Sequence, residues 1–416
     1  MTFRKSVFWV HLAAGLTAGL VILIMSFTGT AIAFQDEIVT YAERDSMQVT
    51  PPAPNAPRLP LKELIENARD TKPDSRPTGV TVSSDPTQIV QVAFGRDGTC
   101  YVNPYTGDVH GPGAPKWRAF FLTMENWHRF LGRSGEQRAV GKAVNDVCNA
   151  AFLFLAISGL FLWWPRKWRT KGLKRSLWFL GDATGRARDW NWHNVIGFWS
   201  APILIVLTFT GVVMSYRWAN DLVYKATGSP VPVQQGPGSP APAMAQSSIS
   251  TAIPSQPAGI PAKPSIRPLS YDALLAAAQK LSPEWETLTL RLGGNRGNGG
   301  GQQPTGEAKA RSGPPPVVFV VREPSTSPRF SSTTLTLDPL TGELLKRETF
   351  ADGNLGRRVR SWIRFLHTGE AFGWVSKLIA ALASLGACFL VYTGFALSWR
   401  RFFMKKEAKP AAAPTA

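Results

Sequence analysis

With 416 residues the chain can hold two or three domains. Its formal charge of +18 raises nucleic-acid binding, but many of the basic residues flank almost wholly apolar stretches, a pattern that fits a membrane and argues against nucleic acid. Three widely spaced cysteines, with no C-x-x-C pair, argue against a disulfide framework, covalent haem attachment and a cysteine-based zinc or iron–sulfur site.

Arg4 and Lys5 precede the first apolar run, Val7 to Phe34. It is too long for a signal-peptide core, and Ala31-Ile32-Ala33 is a weak cleavage match, so it reads as an uncleaved first span over 8–34. A polar region, 35–139, follows, with a helical pattern at 60–70 and a β-rich stretch at 78–94. Val102-Asn103-Pro104-Tyr105-Thr106-Gly107-Asp108-Val109 then reads as strand, tight turn, strand. The second span is 140–164; Lys142, Asn145 and Asp146 place its start above the hydrocarbon, and Trp163-Trp164-Pro165 ends it at an interface.

The loop 165–194 is basic, with eight Lys or Arg against two Asp between Pro165 and Trp190. The third span is 195–216. The region 217–373 carries a helical pattern at 270–281, a β-rich stretch at 316–338 and a second turn, Leu337-Asp338-Pro339-Leu340-Thr341-Gly342-Glu343-Leu344. Its Pro/Gly-rich segments, 228–268 and 293–316, read as linkers. Gly293-Gly294-Asn295-Arg296-Gly297 superficially resembles a nucleotide loop, but no helical pattern follows it. The fourth span is 374–399, and the tail 400–416 carries Arg400, Arg401, Lys405 and Lys406. The short basic segments all fall on one side, which the positive-inside rule makes cytoplasmic. Both termini are then on the cytoplasmic side, and the two long regions are outside.

The chain repeats itself. His11 precedes Phe27-Thr28-Gly29 as His193 precedes Phe209-Thr210-Gly211, each histidine 18 residues before its glycine. Ser158-Gly159 with Trp163-Trp164-Pro165-Arg166 is echoed by Thr393-Gly394 with Trp399-Arg400-Arg401, and the two outer turns match. The expected architecture is an α-helical membrane protein of four spans, built from a duplicated unit with two small α+β outer domains. Gly15, Gly19, Gly197, Gly211 and Gly386 read as close helix-packing positions.

Four of the five histidines sit at ends of spans. Topology sorts them into an inner pair, His11 and His193, and an outer pair, His128 and His367. Neutral imidazole is a common axial ligand of haem iron, and bundle cores build such sites from facing helices. A lone histidine at a span end is more often structural; two same-side pairs in a repeated unit favour ligation. His110 has no repeat counterpart and reads as a loop residue. Arginines accompany the outer pair, Arg129 and Arg133 after His128, and Arg357, Arg358, Arg360 and Arg364 before His367. They suit haem propionates or lipid phosphate first, Arg129 and Arg364 as the propionate partners, with an anionic substrate ranked after these. Trp127, Trp190, Trp192, Trp362 and Trp374 read mainly as interface anchors.

These motifs resemble the PepSY-associated transmembrane proteins, a family of bacterial iron-regulated membrane proteins. The likeness lies in His11-Leu-Ala-Ala-Gly-Leu with Phe27-Thr-Gly, His128-Arg-Phe-Leu-Gly with Trp163-Trp-Pro-Arg, His193-Asn-Val-Ile-Gly-Phe-Trp-Ser-Ala-Pro, His367-Thr-Gly-Glu-Ala-Phe-Gly and the two outer turns. It implies PepSY modules outside, two bis-histidine b-type haems, with His11 and His193 on the inner and His128 and His367 on the outer, and reduction of a periplasmic ferric siderophore. The Pro/Gly-rich insertions depart from the pattern. No dinucleotide fingerprint occurs in the short cytoplasmic segments, so the donor is expected to be a quinol or a separate cytoplasmic reductase. A PepSY binding module anchored by its helices is the first alternative. An iron or siderophore transporter is the second, weakened by the scarcity of charge within the spans.

Overall fold

The computed structural model describes residues 2–111, 113–165, 174, 176–232, 267–292, 314–324, 326 and 328–404. Most of the Pro/Gly-rich segments, with Gly293 to Gly297, lie outside the described residues, as do Lys405, Lys406 and the start of the basic loop.

Ten helices and eight strands are distinguished among the described residues, in chain order α1 (Phe3–Ile32), α2 (Gln35–Met47), α3 (Leu61–Asp70), β1 (Gly79–Ser83), β2 (Val90–Ala93), β3 (Thr99–Val102), β4 (Val109–His110), α4 (Pro115–Phe130) and α5 (Arg138–Trp163). The second half continues with α6 (Gly185–Ser215), α7 (Arg217–Ala226), α8 (Tyr271–Leu281), β5 (Thr287–Arg291), β6 (Val317–Arg322), β7 (Thr333–Leu337), β8 (Leu344–Glu348), α9 (Leu355–Thr368) and α10 (Trp374–Phe402).

The four apolar runs become α1, α5, α6 and α10, of 30, 26, 31 and 29 residues, each long and apolar enough to cross a membrane. A hydrocarbon core takes about 20 helical residues, so every one projects beyond it. They pack as a closed ring: α1 on α5 and α10, and α6 on the same two, which sets α1 and α6 across the diagonal. Ala156, Leu204, Ala383 and Ala387 form an apolar layer inside the ring.

Helix α6 starts ten residues before hydropathy places it. Asp189 and Asn191 interrupt the apolar pattern, yet both are buried. Asn191 accepts from the Leu180 N–H at 3.1 Å and donates to the Trp178 carbonyl at 3.1 Å. Asp189 takes Arg188 at 3.0 Å and Arg400 at 3.2 Å. Polar groups satisfied in this way are tolerated in a helix that a hydropathy window ends too soon.

The strands differ more from the expectation. Instead of two separate small sheets, β1–β4 and β5–β8 form one antiparallel sheet, ordered β4-β3-β2-β1-β5-β6-β7-β8. The two inner edges pair through β1 and β5, with Thr81 opposite Thr289 and their hydroxyls 2.9 Å apart. Joining the halves there removes two exposed ladder edges, which isolated small sheets would have to protect. Period-two alternation turns Val80, Val82, Val92, Leu288, Leu290, Phe319 and Leu335 to the face covered by α3 and α8. Burying such a side chain contributes about 1.5–3 kcal/mol. Both outer turns use the same device: Asn103 and Asp338 accept from the backbone two residues on, at 2.9 and 2.8 Å, and Gly107 and Gly342 take φ of 77° and 73°. His110 is not in a loop. It belongs to the short edge strand β4, opposite Tyr101.

Candidate functional site

All four histidines singled out from the sequence are held in the same manner, by a hydroxyl residue followed by glycine on a neighbouring span. His11 on α1 meets Ser158 of α5, Nδ1 to Oγ 2.8 Å. His193 on α6 meets Thr393 of α10, Nδ1 to Oγ1 2.9 Å. His128, in the last turn of α4, places Nδ1 3.0 Å from the Met25 carbonyl and 3.1 Å from Thr28 Oγ1, both on α1. His367, in the last turn of α9, places Nδ1 3.0 Å from the Leu207 carbonyl and 3.1 Å from Thr210 Oγ1, both on α6.

At the outer pair the glycine after the hydroxyl makes room for the ring; at the inner pair an added Cβ would meet only ordinary contact. A Cβ on Gly29 would lie 3.2 Å from His128 Cε1, and one on Gly211 would lie 3.3 Å from His367 Cε1. At Gly159 and Gly394 the corresponding distances to His11 and His193 are 3.4 and 3.7 Å.

These contacts fix the proton. A backbone carbonyl can only accept, so Nδ1 of His128 and of His367 carries the hydrogen. Thr28 and Thr210 already donate to the Ile24 and Val206 carbonyls, at 2.6 and 2.7 Å, and are free to accept from the imidazole. In a neutral ring Nε2 then keeps its lone pair. Among the described residues no hydrogen bond engages Nε2 of any of the four. Orienting one ring nitrogen by a hydrogen bond while the other is left for a metal is the usual arrangement of a ligating histidine.

The outer pair is brought together. The ring centres of His128 and His367 are 6.4 Å apart, with the planes at 53°. A metal–imidazole bond is about 2.0–2.1 Å and a ring nitrogen lies about 1.2 Å from its ring centre, so two imidazoles on opposite sides of one metal have centres about 6.4 Å apart. The inner pair lies across the ring of spans, His11 on α1 and His193 on α6. Seventeen residues of α1 separate His11 from Thr28, about 26 Å of helix, so the pairs occupy opposite ends of the bundle. Among the described residues no group of three or more His, Cys, Asp or Glu could chelate a bare metal ion. Two imidazoles suit a metal whose other ligands come from a macrocycle.

The helices bearing the outer pair are braced against the sheet. Arg118 of α4 forks onto the buried Glu43 of α2, one arm 2.6 Å from Oε2, and the same nitrogen reaches the Tyr101 hydroxyl at 3.0 Å. Tyr101 in β3 donates to Glu43 at 2.9 Å. Burial, and next its bond to Glu43, push the Tyr101 hydroxyl up to about 12, so it stays a neutral donor. The bond to Glu43 raises the Arg118 guanidinium above its ordinary value. Helix α9 is held instead by Phe330, stacked on Phe365 at 3.9 Å and 13° and edge-on to Trp362 at 5.1 Å. Asn145 of α5 donates to the His128 carbonyl at 3.1 Å, tying the end of α4 to a span.

The arginines are less settled by contacts. Arg129 lies over the Phe130 ring and Arg364 over the Phe365 ring, at 5.2 and 5.5 Å, and among the described residues neither forms an ion pair. Sequence reading passed over Ser158, Thr393, Thr28 and Thr210 as ligand supports. The available signal was that each repeated element near a histidine ends in a hydroxyl residue and a glycine.

No curated protein matches the chain. The family model of the PepSY-associated TM region matches residues 8–401, nearly the whole length, and with its four apolar helices the chain is a membrane protein that belongs to that family.

Proposed function

We propose that this protein holds two b-type haems, one between His128 and His367 and one between His11 and His193, and carries electrons across the bacterial inner membrane to a ferric chelate, with a ferric siderophore as the natural form. The observation that carries the reading is the outer pair: 6.4 Å between ring centres, with each Nδ1–H bonded to a carbonyl and each Nε2 free. Haem bound at each pair supplies one-electron iron chemistry, with the potential set by the axial ligands and their hydrogen bonds.

The chain's own residues do the positioning. Met25, Leu207 and the four hydroxyls orient the rings and raise ligand basicity through Nδ1. Gly29 and Gly211 let the outer rings lie against the spans. Arg129, next to His128 in α4, would pair with a propionate. The apolar layer of Ala156, Leu204, Ala383 and Ala387 keeps water out of the middle of the bundle. On this reading the two halves descend from one duplicated unit. The basic ends around Arg4, Arg400 and Arg401 face the cytoplasm with both termini, and the sheet stands in the periplasm. Each ferric ion takes one electron, drawn from a quinol or a cytoplasmic reductase.

The test is a visible spectrum with haem counting on purified full-length protein. Two haems per chain with bis-histidine b-type bands are expected, and His128→Ala or His367→Ala removes one while His11→Ala or His193→Ala removes the other. Colourless protein from haem-replete cells, or loss of both haems from a folded single variant, would sink the reading. Colourless protein would leave a membrane-anchored binding module.

A further inference from the structure

We propose that Arg357, Arg360 and Arg364 on α9 form the docking surface for the ferric substrate, and that the chelate they take is anionic, bearing carboxylates or catecholates. This rests on the reading above that the protein reduces a ferric chelate, and it adds the substrate's charge and its place of approach.

The three arginines and His367 recur at spacings of three, four and three residues, so they lie along one side of α9 with the imidazole at its end. Helix α9 contains no acidic residue. Among the described residues none of the three arginines forms an ion pair. Arg360 is half-buried, and its Nε donates to the amide oxygen of Asn220 at 2.8 Å, which orients the guanidinium without neutralising it. Burial pulls its pKa below the ordinary value, with Arg364 adding to the effect. A desolvated cation without a carboxylate is a standing cost that an incoming anion would offset.

The other half shows that the fold does not require this. Aligning His128 with His367 sets Arg118, Phe121 and Glu125 of α4 at the three positions. Arg118 is committed to Glu43, Phe121 is buried, and Glu125 accepts from Gln35 at 2.8 Å. The same helix side therefore has its single arginine paired with a carboxylate in one half, and carries three arginines without an ion pair among the described residues in the other. Guanidinium forks match carboxylates and catecholate oxygens, and would hold such a chelate beside the outer histidine.

A lipid headgroup is the rival anion, and the far end of the stripe argues against it. Gly356 donates to Ser229 at 2.9 Å, and a Cβ on it would lie 2.5 Å from Tyr224. Both partners lie in or beyond α7, past the end of span α6. Arg357 is ten residues from His367, about 15 Å along the helix.

The experiment measures binding of iron(III) citrate and of neutral iron(III) tris(acetohydroxamate) to the full-length protein in phosphatidylcholine nanodiscs that contain a minor share of phosphatidylglycerol. The wild type is compared with a double variant of the two exposed arginines, Arg357→Gln with Arg364→Gln. Haem is counted on the same samples. The citrate complex should bind about tenfold more weakly to the variant and more weakly in high salt, with the neutral chelate and the haem count unchanged. Equal citrate binding by variant and wild type overturns the proposal. So does loss of haem from the variant, which would make these arginines propionate partners. Enrichment of phosphatidylglycerol by the wild type alone, without citrate binding, also overturns it and assigns the stripe to lipid. Arginine-dependent citrate binding by protein that carries no haem would keep the docking surface and end the electron-transfer reading.

Discussion

Helix α4 is fastened to the sheet by charge, through Arg118, Glu43 and Tyr101, whereas α9 is fastened by stacked rings, Phe330 on Phe365. At their membrane ends the two helices do the same thing: each delivers an imidazole to a carbonyl and a threonine of a span, over a glycine. The contrast separates what the site needs from what merely holds it. Ring placement needs a tight approach between backbone and imidazole, which few residue types permit. Bracing a helix from outside needs only enough interaction energy, and ionic and aromatic contacts can each supply it.

The membrane ends should therefore be the least tolerant of change. Gly211→Ala would put a Cβ 2.8 Å from Asn149 Nδ2 and 3.3 Å from the His367 ring, while Asn149 is itself held to the Thr208 carbonyl at 3.1 Å. Overpacking of this kind costs about 2–3 kcal/mol, and on the proposed function it should also perturb or remove the haem held by His128 and His367. Gly394→Ala, whose nearest added contact is 3.7 Å, should leave both melting temperature and haem content near wild type. Equal sensitivity of the two positions would break the claim that clearance around the ring decides.

A smaller effect is expected at the ionic brace. Arg118→Ala leaves the carboxylate of Glu43 buried, with Tyr101 as its remaining donor, at a cost of about 2 kcal/mol. The thermal transition should fall, and Glu43→Gln combined with Arg118→Ala should recover part of the loss. If the double change is worse than the sum of the two single ones, Glu43 has another partner.

The smallest effect belongs to the aromatic brace. Phe330 is partly exposed, so Phe330→Ala should cost about 1 kcal/mol, mainly the stacking with Phe365. Leucine at position 330 should restore most of it. Haem content should be unchanged in both brace variants, since neither touches an imidazole; loss of haem from either would erase the distinction between seat and brace.

Much of this molecule could be read from one dimension. Four spans follow from runs of apolar residues longer than a hydrocarbon core is thick, and the four candidate imidazoles stand out because so few histidines exist and four of the five lie within or shortly before an apolar run. The paired turns at 103–107 and 338–342 are legible because an Asx side chain and a glycine at fixed offsets act locally. Each of these signals depends on neighbours along the chain.

What the sequence could not decide depends on residues far apart in it. Hydropathy started α6 too late, because Asp189 and Asn191 are paired with Arg400 and with the Trp178–Leu180 segment, and a window along the chain does not see those partners. The two outer regions looked like separate domains because each has its own strands and helix; that β1 pairs with β5 to make one sheet is a contact across some 200 residues. Sequence position alone indicated which imidazoles share an end of the bundle. Only the folded chain, by bringing carbonyls and hydroxyls of α1 and α6 to Nδ1 of His128 and His367, decided that the outer rings stand 6.4 Å apart with a nitrogen left over on each, because that geometry is set by how helices pack and not by the order of their residues.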